Sequence, residues 1–180
     1  MPIRHTPDFD FETLAAAHLE SAYNLARWLV RDPALADDVV QDAMLRALKY
    51  FHGFRGENPR AWMLQIVRNV ALTRLKGSPG SKASATEDAS AFESETLSHP
   101  TDARHEPEAT LMREDDERLV QRLLEQLPVE LRECVILREI EELSYKEIAR
   151  VVDAPIGTVM SRLWRGRKLL AEAAGAVERS

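Results

Sequence analysis

Thr158, Ser161, Arg162, Arg165 and Lys168 place two hydroxyls and three cations within eleven residues of a 180-residue chain. Guanidinium and ammonium groups pair with phosphate oxygens and read guanine edges, and Thr and Ser hydroxyls contact either. A second set mixes aromatic rings with cations and an amide: Phe54, Arg60, Trp62, Arg68, Asn69, Arg74 and Lys76. Rings beside cations suit the unstacked bases of single-stranded DNA, although each aromatic taken alone fits a helical core equally well. A third set, Asp37, Asp38, Gln41 and Asp42, is acidic and polar, and taken alone reads as a solvated face.

Groups for bond-making chemistry are missing from the pattern. His5, His18, His52, His99 and His105 show no HExxH-type spacing, and neither a GxSxG elbow nor a Walker-type phosphate loop occurs. Cys134 is the single cysteine, which excludes an intrachain disulfide and a cysteine metal cluster; within "ECVIL" it reads as a core filler. The chain is therefore expected to bind rather than catalyse, and to need no cofactor. No apolar run approaches the ~18 residues of a membrane span, and "MPIRHTPDFDFETL" lacks an apolar signal core. A cytoplasmic protein without membrane insertion is expected.

The elements that must position the first set begin at Ser144. Ser144 and Glu147 have the S-x-x-E spacing of a capping box, and Leu143 with Ile148 can close a hydrophobic staple. Asp153-Ala154-Pro155 ends that helix, because the residue before a proline disfavours the α region. In the next helix, at about 100° per residue, Ile156, Val159, Leu163 and Leu170 share a face. Thr158, Ser161, Arg165 and Lys168 fall opposite, with Arg162 and Arg167 flanking the apolar stripe. A capped helix, a tight turn and a second helix with a polar outer face form a helix-turn-helix, whose second helix enters the major groove. Upstream, "DERLVQRLLEQL" and "VELRECVILREIE" complete a small helical bundle, the latter with Leu131, Val135 and Ile136 on one face.

The other two sets need three more helices. "DFETLAAAHLESAYNLARWLVRD" carries an apolar stripe through Leu14, Leu25 and Leu29. In "DPALADDVVQDAMLRALKYF", Asp32 caps and Pro33 suits the first helical position. Val39, Val40, Ala43, Leu45 and Ala47 are its expected packing residues. "HGFRGE" breaks the chain. "NPRAWMLQIVRNVALTRLK" follows, with Asn58 as cap and Pro59 at the first position. Abundant Leu, Ala, Arg and Glu with only 7 Gly favour an all-α protein.

The net charge of −6 argues against nucleic acid only until it is located. Residues 1–76 hold 10 Lys and Arg against 9 Asp and Glu, residues 118–180 hold 11 against 10, and residues 77–117 hold 3 against 11. The acidity belongs to the middle segment, which is rich in Gly, Ser and Pro and has no apolar periodicity. It reads as a flexible linker between two small helical domains, 1–76 and 118–180. A local basic patch steers phosphate whatever the global sum.

Taken together, "DPALADDVVQDAMLRALKYFHGFRGENPRAWMLQIVRNVALTRLK" followed by "LEQLPVELRECVILREIEELSYKEIARVVDAPIGTVMSRLWRGRKLL" resembles regions 2 and 4 of the extracytoplasmic-function (ECF) sigma factors of bacterial RNA polymerase. The resemblance implies that Asp37, Asp38, Val39, Gln41, Asp42 and Arg46 bind the core polymerase. It implies that Phe54, Arg60, Trp62, Arg68, Asn69, Arg74 and Lys76 capture and open the minus-ten element. Thr158, Ser161, Arg162, Arg165 and Lys168 would read the minus-thirty-five element. Promoter DNA, RNA polymerase core enzyme and a restraining anti-sigma factor are the implied partners. The family pattern NxxxDxxRR is altered, since Thr73 replaces its Asp and Lys76-Gly77 its basic pair, and Met160 stands where many members carry a cation. The competing expectations are a stand-alone helix-turn-helix regulator, with an operator and a dimer interface, and a helical adaptor with no DNA role.

Overall fold

A computed structural model describes residues 10–55, 58–77 and 118–177. The expected linker, 77–117, lies outside them except for Gly77, which ends a helix. Among the described residues the fold is all-α. In the N-terminal unit, α1 (Phe11–Val30), α2 (Pro33–Tyr50) and α3 (Pro59–Gly77) pack against one another, and a 3-10 turn at Phe51–Gly53 follows α2. In the C-terminal unit, α4 (118–125 in its described part) precedes α5 (Val129–Glu139), α6 (Tyr145–Val152) and α7 (Ile156–Val177).

The caps form where the sequence places them. The Asp32 carboxylate accepts from the N–H groups of Ala34 and Leu35, at 2.8 and 3.2 Å, ahead of Pro33. Asn58 accepts from the Ala61 N–H at 2.9 Å. Ser144 and Glu147 form the reciprocal capping box, at 3.3 and 2.7 Å. These bonds satisfy donors that a helix start leaves open. Asp153 takes φ 51 and turns the chain out of α6, so that α7 begins after Pro155.

Two expected packing residues lie outside. Leu45 is 68% exposed, while Val39, Val40, Ala43 and Ala47 are buried. Leu45 follows Ala43 by two residues, which is about 200° around the helix, so it faces away from that stripe. Ile156 is 45% exposed. The inner face of α7 is instead Val159, Leu163 and Gly166, with Leu170 partly covered. Gly166 lets α7 approach α5 closely: a Cβ there would lie 2.8 Å from Val135 Cγ2.

One apolar cluster runs through both units. It joins Leu25, Ala36, Leu64 and Val67 to Ile136, Ile148, Val159 and Leu163. Between the units, α1 lies against α5 and α3 lies against α6. A smaller cluster of Leu14, Ala47 and Met63 sits beneath Phe11, Phe51, Phe54 and Trp62.

Candidate nucleic-acid interface

Helix α7 is held by its inner face, and the inter-helix turn fixes its start: the Thr158 and Val159 N–H groups donate to the Pro155 carbonyl, at 3.0 and 3.1 Å. Ser161, Arg165 and Lys168 are exposed and Thr158 is half-buried. Arg165 Nη2 donates to Ser161 Oγ at 3.5 Å, and Lys168 Nζ stands 4.0 Å from Glu172. Such surface contacts are weak enough to be exchanged for phosphate. Trp164 is 64% exposed with Lys168 Nζ 5.3 Å from its ring centre, and Met160 beside it is 52% exposed. The sequence reading gave Trp164 no role. Its i, i+4 spacing between Met160 and Lys168 is the signal that places it on the outer surface.

Arg162 differs from its neighbours. It is half-buried and turned inward, with Nη1 3.5 Å from Glu133 Oε1. It flanks the apolar stripe as the helical spacing requires, but it does not stand with Ser161 and Arg165 on the outer face.

The aromatic and cationic set divides in the same way. Phe54 and Trp62 stack with ring centres 4.6 Å apart and planes 32° from parallel. Both are half-buried over Leu14, Ala47 and Met63, so they are part core and part surface. Beside them is a groove of about 530 Å³ between Tyr50, Phe54, Asn58, Trp62 and Gln65, which also carries Arg150 of α6 on its wall. Asn69, Arg74 and Lys76 are exposed along α3. Arg60 and Arg68 point to the C-terminal unit: Arg60 Nη2 is 2.5 Å from Glu141 Oε2, and Arg68 makes a two-bond pair with Glu133 at 2.8 and 3.0 Å.

On α2, Asp37, Asp38, Gln41 and Arg46 are exposed. Val39 is wholly buried, so it supports this surface from below and offers no contact of its own. Asp42 pairs with Arg46 at 3.1 Å and with Arg74 at 3.6 Å, which ties the acidic face of α2 to α3.

Burial and hydrogen bonding shift a few ionisable groups. The Ser144 backbone N–H, then its hydroxyl, holds the Glu147 carboxyl below its usual value, with the Asn58 amide adding to the effect. Burial pulls Arg132 down to about 10, and the nearby Arg31 adds to the shift. Arg132 is 4% exposed and gives its hydrogen bonds to the carbonyls of Trp28 and Leu127, at 3.2 and 2.9 Å. Burial pushes the Cys134 thiol up to about 11, which suits an inert core residue. Among the described residues, no group of His, Cys, Asp or Glu could hold a metal ion, and no helix is long and apolar enough to cross a membrane.

A three-helix unit with an aromatic–cation groove, coupled to a helix-turn-helix with a hydroxyl and cation face, defines a bipartite all-helical protein built for binding. Residues 14–78 match Sigma-70 region 2, and residues 117–170 match Sigma-70, region 4. The chain is 34% identical over 168 residues to the RNA polymerase sigma-H factor of Pseudomonas aeruginosa, spanning 91% of this chain and 85% of that protein. It is 34% identical over 134 residues to the ECF RNA polymerase sigma-E factor of Escherichia coli K12, spanning 74% and 70%. Its fold matches that of the sigma factor RpoE from Bartonella quintana, solved with the anti-sigma factor NepR, at a TM-score of 0.69 and 25% identity over 92% of this chain and 97% of that one. This chain belongs to the sigma-70 family, as an ECF sigma factor. Its function is that of an RNA polymerase initiation factor, and the stand-alone regulator and the adaptor are set aside.

Proposed function

We propose that the exposed outer face of α7, with Thr158, Ser161, Arg165 and Lys168, reads the minus-thirty-five element in the major groove. The observation that carries this is geometric. The capping box, the left-handed Asp153 and the Pro155 carbonyl fix the start of α7, while Val159, Leu163 and Gly166 fix its roll. Thr158, Ser161 and Arg165 are then presented together in the N-terminal half of the helix, where recognition helices touch bases, with Lys168 just beyond. Arg162 joins this face only after it leaves Glu133.

The groove beside Phe54 and Trp62 takes unstacked bases of the minus-ten element, with Asn69, Arg74 and Lys76 along the strand and Arg60 and Arg68 once released from their glutamates. Asp37, Asp38, Gln41 and Arg46 dock on the core polymerase, with Asp42 holding α2 and α3 in register beneath them. Core RNA polymerase and promoter DNA are the working partners, and an anti-sigma factor restrains the chain; the RpoE neighbour was solved in complex with one. The protein supplies recognition and no bond-making chemistry, and acts in the cytoplasm.

Each DNA surface is small, so tethering both to one polymerase makes the second contact intramolecular and multiplies affinity only at the right element spacing. Run-off transcription with purified core polymerase tests the proposal. Promoter-specific transcripts are expected only when the chain and core are both present. Promoter affinity of the isolated chain that polymerase leaves unchanged would refute it.

A further inference from the structure

The buried charged side chains of the described residues are Arg132, Glu133 and Glu141, at 4%, 1% and 3% exposure. They lie on α5 and in the turn that follows it, and each reaches into the N-terminal unit. Arg132 donates to the Trp28 carbonyl, Glu133 accepts from Arg68, and Glu141 accepts from Arg60. Glu133 also faces Arg162 of α7, so one carboxylate joins two arginines from different units. Asn58 donates to Glu147 across the same junction. Arg150 of α6 stands on the wall of the groove beside Trp62.

We infer that Glu133 and Glu141 form an ionic latch that holds the two units closed and withholds Arg60 and Arg68 from DNA. The inference rests on the DNA roles given above for these two arginines. It goes beyond them in assigning the two glutamates a regulatory role.

The chemistry of the junction supports a latch more than a permanent seam. Two carboxylates here occupy the positions on guanidinium groups that phosphate oxygens would take. Carboxylate and phosphate bind the same planar fork in the same two-bond manner, so one can displace the other. The seam already holds well-packed apolar residues, since one cluster runs through both units; taking charges out of water offsets most of their attraction, so stability alone does not call for them there. If only a fraction of molecules is open, apparent DNA affinity falls by that fraction. Docking the N-terminal unit on a large partner, or presenting DNA to either unit, would shift the balance toward the open form.

The test uses the full chain. Dyes are placed at Leu19→Cys and Leu169→Cys, which are exposed at 49% and 43% and lie in different units. Cys134 is buried and escapes labelling. The perturbation is Glu133→Gln with Glu141→Gln, which keeps side-chain shape and removes the charge. A charge-matched control, Glu130→Gln with Glu142→Gln, changes two exposed residues that take part in none of these pairs.

The wild type and the control should give high energy transfer, and the latch variant low transfer with unchanged helical circular dichroism. A short fluorescent single-stranded DNA should bind the latch variant at least about fivefold more tightly than the control, as a rising open fraction requires. Should the double variant fold poorly, the reciprocal exchange Arg60→Glu with Glu141→Arg answers the question. Each single change should lower transfer and the pair should restore it. High transfer in both the latch variant and the single exchanges would overturn the latch. Low transfer with no gain in DNA affinity over the control would overturn the withholding. If transfer and DNA affinity respond as expected but no variant supports transcription with core polymerase, the latch stands and the sigma-level assignment of surfaces falls.

Discussion

Trp62→Ala should damage the protein twice, and the two effects are separable. Trp62 stacks on Phe54 with ring centres 4.6 Å apart and covers part of the Leu14–Ala47–Met63 cluster. A fully buried Trp replaced by Ala costs about 3–5 kcal/mol. Trp62 is only half-buried, so about 2 kcal/mol is expected, including the lost aromatic pair at about 0.5–1.5 kcal/mol. For a chain of this size that lowers Tm by roughly 4–8 °C. The second effect belongs to the groove. A stacked base is worth about 1–3 kcal/mol, or roughly 5- to 150-fold in open-complex formation. Transcription from duplex and from pre-melted bubble templates, at a temperature well below both melts, separates them. The bubble should restore most of the activity of Trp62→Ala, because its bases are already unstacked. Trp62→Phe should keep both the fold and most of the opening. Duplex opening at the wild-type rate in a folded Trp62→Ala chain would refute the base-stacking role. A lowered melt with no rescue by the bubble would reduce Trp62 to a packing residue.

Other outcomes follow from the same geometry. Asp37→Lys with Asp38→Lys should leave thermal melting within about 0.5 kcal/mol of wild type, since both are exposed; a pull-down with core enzyme should show clearly weaker binding, and normal pull-down would remove this face from the interface. Asp42 is unsuited to that test, because its pairs with Arg46 and Arg74 would be broken as well. Arg165→Ala should weaken minus-thirty-five-dependent initiation by about 1–3 kcal/mol if it reads a base, or lower the salt slope of binding by about one if it meets a phosphate; a folded variant with neither change would leave Arg165 to solvent. The Glu147 carboxyl is held below its unfolded value, so its stabilisation is present above the unfolded value near ~4.3 and is lost as pH falls through the lower folded one. Melts from neutral to acid pH should therefore show a shallower acid limb for Glu147→Gln, and identical limbs would deny the capping box that role.

The sequence by itself determined the helices, their starts and the polar outer face of α7. Asp32, Asn58, Ser144 and Glu147 are local devices: each acts on N–H groups within three residues, so neighbouring residue types suffice to predict them. The outer face of α7 was legible for a related reason, since helical spacing alone separates Val159 and Leu163 from Ser161 and Arg165. The same spacing, read too generously, put Leu45 and Ile156 inside. Spacing says which residues share a side, but neighbouring elements decide how far the covered stripe extends. Only the tertiary structure decided what Arg60, Arg68 and Arg162 touch. Their partners Glu141 and Glu133 are 81, 65 and 29 residues away, and a guanidinium on a helix face looks the same in a sequence whether it meets water, phosphate or a buried carboxylate. Val39 drew two expectations, a packing residue by its spacing and a polymerase contact by the resemblance, and its burial keeps the first. How completely it is covered depends on α1 and α3 packing against α2, which no local pattern encodes.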